Sequence, residues 1–369
     1  MTTRAKRVAV LPRDARLKTG LESLEFELPP ELEASEPPEA RGLARDEVRL
    51  MVTYRADDRI VHTRFSDLPD FLKSGDVLVI NTSGTLNAAL AVTLVSSETP
   101  YELHLSTRLP NDQWIVEVRQ PNGETTKPFY DAESGWELDL PGGARAMLIA
   151  PISLHAGLPH LWTAGLNLPA PPVDYLAEHG FPIRYSYIKQ SWPGSAYQTV
   201  YATEMGSAEM PSAGRAFSSE LITRLAAMGV QIAPLILHTG VASLDDDELP
   251  HAEFFRVPDA TAQIVNTART ESRTVIAVGT TVVRALETVT GPDGVVQPGE
   301  GWTRLIVTPQ TGIHTIDGLL TGLHEPQSTH VAILEALSSR EHLIAAYGEA
   351  LAERYLWHEF GDMHLILPD

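Results

Sequence analysis

Two short apolar runs, each closing on a polar turn that contains glycine, give this chain its clearest pattern. Residues 230–237 are followed by His238, Thr239 and Gly240, and residues 274–278 by Gly279, Thr280 and Thr281. Runs of that length bounded by turn residues read as buried strands. Groups just past the end of such a strand converge on the crevice where open α/β sheets bind ligands, so chemistry is expected there.

The same pattern predicts strands at 48–54 and 77–80, flanking a weakly helical stretch at 65–73. After Asn81 the texture changes. From Leu86 to about Ile152 the short runs AVTLV, YELHL, WIVEV, WELDL and AMLIA alternate with turns such as PNG and PGG. Closely spaced short strands without helical periodicity predict a small antiparallel barrel or sandwich. Because α/β patterning resumes afterwards, the fold class is a large discontinuous α/β domain, residues 21–85 and 156–369, with a small β-barrel domain, 86–155, inserted.

Further on, a helix is expected at 173–179, before the aromatic stretch FPIRYSYIKQSW. Ser218 and Ser219 suit the N-cap of a helix with Leu221, Ile222, Leu225 and Met228 inward. Another helix begins after Thr280, with Val282, Val283, Leu286 and Val289 inward. A strand at 304–307 precedes the loop TGLHEPQST, a helix runs from Ser328 to Leu337, and a last long helix spaces Leu343, Tyr347, Leu351 and Tyr355 at i, i+4.

Composition narrows the function classes. The chain of 369 residues is 43% hydrophobic and 21% charged, enough for a large core in two domains. No apolar run approaches a membrane span and no signal pattern is present, so a cytoplasmic protein with no membrane partner is expected. The absence of cysteine removes disulfides and thiol nucleophiles. Lys and Arg number 28 against 48 Asp and Glu, a formal charge of -20. Such a field repels polyanions unless a local basic patch exists. Residues 1–20 are the one basic stretch, with Arg4, Lys6, Arg7, Arg13, Arg16 and Lys18 against Asp14. They form a basic arm, either a solvated or disordered tail or a substrate contact.

The candidate chemistry gathers near the turns. The strand, Gly279-Thr280-Thr281 and the following helix offer first-turn N–H groups, a positive dipole end and two hydroxyls, suited to a carboxylate or a ribose. The competing reading makes Thr280 or Thr281 an ordinary N-cap and Arg284 with Glu287 a surface ion pair. His238, His251, Glu253 and His324 are the polar set expected to meet in space, with a His and a Glu able to act as base and orienting partner. Metal ligation lacks any HExxH or similar short spacing. His314 and His364 read as structural. Ser212, near Pro211 and Gly214, lacks the GxSxG setting of a hydrolase nucleophile.

Together these segments resemble the S-adenosylmethionine:tRNA ribosyltransferase-isomerase family of queuosine biosynthesis. The resemblance covers about 26–366 and is carried by FELPPEL at 26–32, SGDVLVIN at 74–81, YQTVYA at 197–202 and PSAG at 211–214. It continues through HAE at 251–253, IAVGTTVVRALE at 276–287, LHEPQST at 323–329 and FGDMHLI at 360–366. It implies an α/β domain interrupted by a closed barrel, and S-adenosylmethionine as substrate rather than a permanently bound cofactor. It also implies a tRNA partner and a monomer or weak homodimer, and requires no metal.

The reaction implied passes the ribosyl group to the aminomethyl nitrogen of 7-aminomethyl-7-deazaguanine in tRNA, giving epoxyqueuosine and releasing adenine and methionine. The resemblance places the donor near Gly279, Thr280 and Thr281. It gives proton transfer to His238 or His251 with Glu253, with His324 opposite. The substrate-contacting set it implies adds Asn81, Tyr197, Pro211, Ser212, Gly214, Gly240, Arg284, Ser328, Thr329 and Asp362. This chain departs from the family where NDTRVIPARL becomes NTSGTLNAAL, without arginines, and where PTAGLHF becomes PSAGRAF. Lost arginines and acidity leave two alternatives, ribosyl transfer to a non-tRNA acceptor and a catalytically silent ligand-binding relative.

Overall fold

Residues Val77–Asn81, Val275–Val278 and Gly318–Gly322 are buried at every position, which places them where both faces of a sheet are covered. The structure, a computed structural model, describes residues 9–10, 24–123, 125–155, 158–241, 251–324 and 329–369. With Gln231–Leu237 these strands form the parallel centre of a nine-stranded sheet, in the order 231–237, 77–81, 275–278, 318–322. Glu253–Val257 and Gly299–Thr303 extend one side, antiparallel. Met363–Leu367, Arg49–Tyr54 and Ile60–Arg64 extend the other.

One face carries Ala262, Val265, Val282, Val283, Leu286, Leu343 and Ala346 from three helices, Asp259–Thr270, Thr280–Thr288 and Arg340–Ala352. The other face packs against Phe65, Phe217, Leu221 and Leu225. Phe65 and Phe217 meet edge to face at 5.0 Å. The helix Ser219–Ala227 starts where the Ser218 hydroxyl accepts the Leu221 amide at 3.0 Å, the N-cap expected.

The second module leaves the sheet just past Asn81. Ala89–Leu94, Thr99–Arg108, Trp114–Asn122, Leu158–Asn167, Arg145–His155 and Glu137–Asp139 pair antiparallel in a ring that closes on itself, a six-stranded barrel. Leu90, Val92, Leu103, Val116, Leu148 and Trp162 fill it. Alternation explains the fill, since side chains on one face of each strand point inward. The ring's strand Leu158–Asn167 runs beyond residue 155, where the change of texture had ended the module.

Several local expectations need correction. Residues 304–307 form no strand; the edge strand is Gly299–Thr303, held by pairing with Glu253–Val257, while Val307 is buried in irregular backbone. The strand Gly318–Gly322 and the helix Asp259–Thr270 carried too weak a pattern to be anticipated. Tyr355 lies past the last helix, which ends at Ala352, and Met228 caps its helix with 41% of its surface exposed. Apart from Ala9 and Val10, the basic arm at 1–20 falls outside the described residues, as do Ser328 and Glu325.

Phe217 is fully buried between the sheet and Phe65. Phe217→Ala is expected to lower unfolding free energy by roughly 3–5 kcal/mol, read from urea unfolding. A change below about 1 kcal/mol would show that this face is not close-packed.

Candidate active site

Parallel strands end together, so the turns after Asn81, Leu237, Val278 and Gly322 share one edge of the sheet. Asn81 organises that edge. Its carboxamide oxygen accepts the Leu237 amide at 3.0 Å and the Ser83 amide at 3.1 Å. Its NH2 donates to the Leu237 carbonyl at 2.8 Å and to Thr281 Oγ1 at 3.3 Å. The side chain is buried and bonded on both its oxygen and its nitrogen, so it ties two strands and one helix start rather than reaching for a ligand.

The turn after Val278 depends on glycine. Gly279 has φ 92°, a conformation that side chains resist, and a Cβ there would lie 3.2 Å from the Cβ of Ala213. The loop of Pro211, Ser212 and Gly214 therefore sits directly against the start of helix Thr280–Thr288. Neither threonine caps that helix through its side chain; Gly279 occupies the N-cap position. The N–H groups of a first helical turn have no acceptor inside the helix.

Arg284, one turn further, pairs with Glu253 rather than with Glu287. Its Nε donates to the Leu305 carbonyl at 3.1 Å, and its Nη2 is buried with no hydrogen-bond acceptor among the described residues. Glu287 is occupied elsewhere, accepting the His314 and Thr315 amides at 2.8 and 2.9 Å. The expected i, i+3 surface pair is thus replaced by a part-buried pair across two elements. Glu253 also accepts the Gly240 amide at 3.0 Å, which joins the turns after Leu237 and Val278.

His251 lies beside this pair, with Nε2 2.9 Å from Ser106 Oγ of the barrel. Ser106 also accepts the Val241 amide at 3.0 Å, so the barrel is pinned to the sheet edge here. A Cβ on Gly240 would overlap the His251 ring. His238 sits on the other side of the turn, with Nδ1 2.7 Å from Ser83 Oγ and Nε2 3.7 Å from Glu204 Oε1. Burial lowers its pKa, opposed by Glu204. Glu204 is held below the usual carboxylate range, chiefly by its hydrogen bond from Arg256.

His324 stacks face to face on His330, with ring centres 4.2 Å apart and planes 6° apart. Its Nε2 is 3.0 Å from Thr321 Oγ1. Burial, with His330 and His358 nearby, pushes His324 well below the ordinary histidine range. His330 is lowered to about 4 by burial and by Arg284, which places the stacked pair next to the Arg284–Glu253 pair. Both rings are neutral at pH 7.

Tyr197 and Asp362 lie away from these groups. Tyr197 packs on Phe360 at 5.2 Å in a small cluster with Ala34 and Ile188. Asp362 accepts the Arg49 and Leu356 amides, both at 2.8 Å, and fixes the approach to the last strand. Thr329 opens the helix Thr329–Leu337. His364, read as structural, is buried against Thr53 at 2.8 Å. Residues that sequence reasoning missed are Ser83, Ser106, Glu204, Ser207, Arg256 and His330. Only their contacts across distant segments reveal them.

The comparisons with known proteins settle the family. The model for the queuosine biosynthesis proteins matches residues 21–366. The chain belongs to this family. Relatives named S-adenosylmethionine:tRNA ribosyltransferase-isomerase include one from Symbiobacterium thermophilum, 36% identical over 358 residues, covering 94% of this chain and 99% of that protein. Another, from Thermus thermophilus, is 37% identical over 365 residues with the same coverage. The crystal structure of an S-adenosylmethionine tRNA ribosyltransferase from Thermotoga maritima aligns with 93% of this chain and 99% of its own, at 28% identity and a TM-score of 0.51. The fold thus aligns over nearly the full length of that ribosyltransferase, and this member of the queuosine family is a transferase-isomerase.

The buried histidines make stability depend on pH. His330 and His358, both lowered to about 4, and His364, lowered to about 3, bind protons more readily unfolded, near 6.5, than folded. The unfolded chain therefore carries more protons below pH 6.5, and stability falls as pH drops from about 6.5 toward 4. Urea midpoints at stepped pH should decline through that window, and His330→Phe should flatten the decline. An unchanged slope in that variant would remove His330 from the account.

Proposed function

We propose that the chain transfers and isomerises the ribosyl group of S-adenosylmethionine onto 7-aminomethyl-7-deazaguanine in tRNA, giving epoxyqueuosine with release of adenine and methionine. The observation that carries this reading is the convergence of Gly279–Thr281, the Arg284–Glu253 pair, His238 and His251 on one sheet edge, in a member of this family.

Each part has a chemical use. The sulfonium acidifies the adjacent 5′ carbon, so a base that removes its proton creates an ylide that expels adenine. The acceptor amine then attacks, and epoxide closure releases methionine. His238, His251 and Glu253 serve the proton transfers. The buried Arg284 Nη2 and the first-turn amides after Gly279 supply donors for the carboxylate and ribose hydroxyls of the donor substrate. His324 and His330 present a flat, neutral pair of rings beside them.

A second reading is favoured by one observation, the charge of -20, which opposes a polyphosphate acceptor. It keeps the donor chemistry and replaces tRNA by a small amine. The test is incubation with S-adenosylmethionine, with and without tRNA bearing the deazaguanine precursor, following adenine and the modified nucleoside by mass spectrometry. Adenine formed only with that tRNA, together with the epoxide product, is expected. Adenine released when a small primary amine replaces the tRNA selects the second reading, and donor binding with no adenine in either incubation contradicts both. His251→Ala and Glu253→Gln should each slow adenine release by about 10²-fold or more.

A further inference from the structure

His238 is gripped on four sides. The Phe254 ring stacks on it at 5.6 Å and 26°. On another side the backbone of Gly206 comes so close that a Cβ there would overlap the imidazole. Ser83 holds Nδ1 and Glu204 faces Nε2. These contacts hold the ring in place, and only 16% of the side chain is exposed.

The hydrogen bonds running into this ring favour one direction. The Thr239 backbone N–H, which can only donate, gives to Ser207 Oγ at 3.0 Å. Ser207 Oγ and Ser83 Oγ are 2.6 Å apart, and Ser83 Oγ lies 2.7 Å from His238 Nδ1. At the far end stands Glu204, an ionised carboxylate that can only accept, anchored by Arg256 Nη1 at 2.8 Å. Arg256 is shared with Glu300 at 3.0 Å. One polarity gives every hydroxyl proton an acceptor: Thr239 gives to Ser207, Ser207 to Ser83 and Ser83 to Nδ1, which leaves the ring proton on Nε2, facing the Glu204 carboxylate at 3.7 Å. The reverse polarity gives the Ser207 hydroxyl proton no acceptor in this run of contacts and turns the Nε2 lone pair toward the carboxylate of Glu204; Arg256, the other charged group near the ring, is already bonded to that carboxylate.

We propose that Ser83 and Glu204 are positioning residues that fix His238 as the Nε2–H tautomer, so that it meets the crevice as a hydrogen-bond donor. This rests on the reaction proposed above and divides its proton work. At 3.7 Å from Glu204 the Nε2–H is left without a short hydrogen bond and is free to be given to the departing purine, in the way a neutral imidazole can polarise a leaving or carbonyl group. Proton abstraction falls to the His251–Glu253 side of the turn.

The test reads the ring itself. Long-range proton–nitrogen correlation on the full chain with labelled histidine, assigned by loss of a signal in His238→Gln, reports which ring nitrogen is protonated near pH 8. The expected spectrum has an unprotonated Nδ1 and a protonated Nε2. In Glu204→Gln the ring should titrate at lower pH than in the parent, because an anion that favours the imidazolium has gone, and in Ser83→Ala the two tautomers should mix. A protonated Nδ1 in the parent overturns the proposal, as does a titration unmoved in Glu204→Gln. Glu204 is partly exposed, so that variant retains the fold even if Ser83→Ala does not. The spectrum needs no substrate. A protonated Nε2 in a protein that never releases adenine leaves the tautomer standing and removes only the reaction; adenine release with a protonated Nδ1 does the opposite. With turnover established, Glu204→Gln should lower kcat while leaving KM for S-adenosylmethionine unchanged.

Discussion

The carboxamide of Asn81 holds the ends of two adjacent parallel strands and the first turn of a helix at fixed spacing. Without it the Leu237 amide and carbonyl would face one another's strand with no partner, in a place water does not reach. The turns that follow those strands carry His238, Gly240, Gly279 and Thr281, so their mutual distances are inherited from this one side chain. Glu253 repeats the device one layer out, joining the Gly240 amide to Arg284. The edge of the sheet is therefore a built frame, and the chemistry is mounted on it.

The barrel enters the same logic. It leaves the chain immediately after Asn81 and returns to contact the frame through Ser106, which serves both His251 and the Val241 amide. A closed barrel has no free edge and keeps its own core, so it can be inserted at the mouth of a crevice without disturbing the sheet. Its contribution is to set one wall and to orient a histidine from the large domain.

The fold was legible wherever burial leaves a mark on periodicity. The fully buried strand at 275–278, the strand at 231–237 with its buried end at 235–237, and the alternating strands of the barrel follow from their apolar patterns. Gly318–Gly322 was lost because two of its five residues are glycines, whose burial says nothing about a side chain. The edge strand Gly299–Thr303 has the same composition problem, and the apolar residues beside it drew the expectation to 304–307. For the site, residues next to strand ends could be nominated, and His238, Glu253 and Gly279–Thr281 do come together. What sequence could not supply were partners from afar. Ser83 and Ser207 are 124 positions apart, and Arg284 chose Glu253, 31 residues away, over the neighbour on its own helix.

If Asn81 is the brace of this frame, its removal should loosen two turns and spare the rest. Peptide-level amide hydrogen exchange on Asn81→Ala against the parent measures this directly. Faster exchange confined to segments around 235–240 and 279–283, with the barrel at 89–167 unchanged, is the result predicted. Exchange unaltered at both turns, or raised evenly across the whole sheet, would contradict the account.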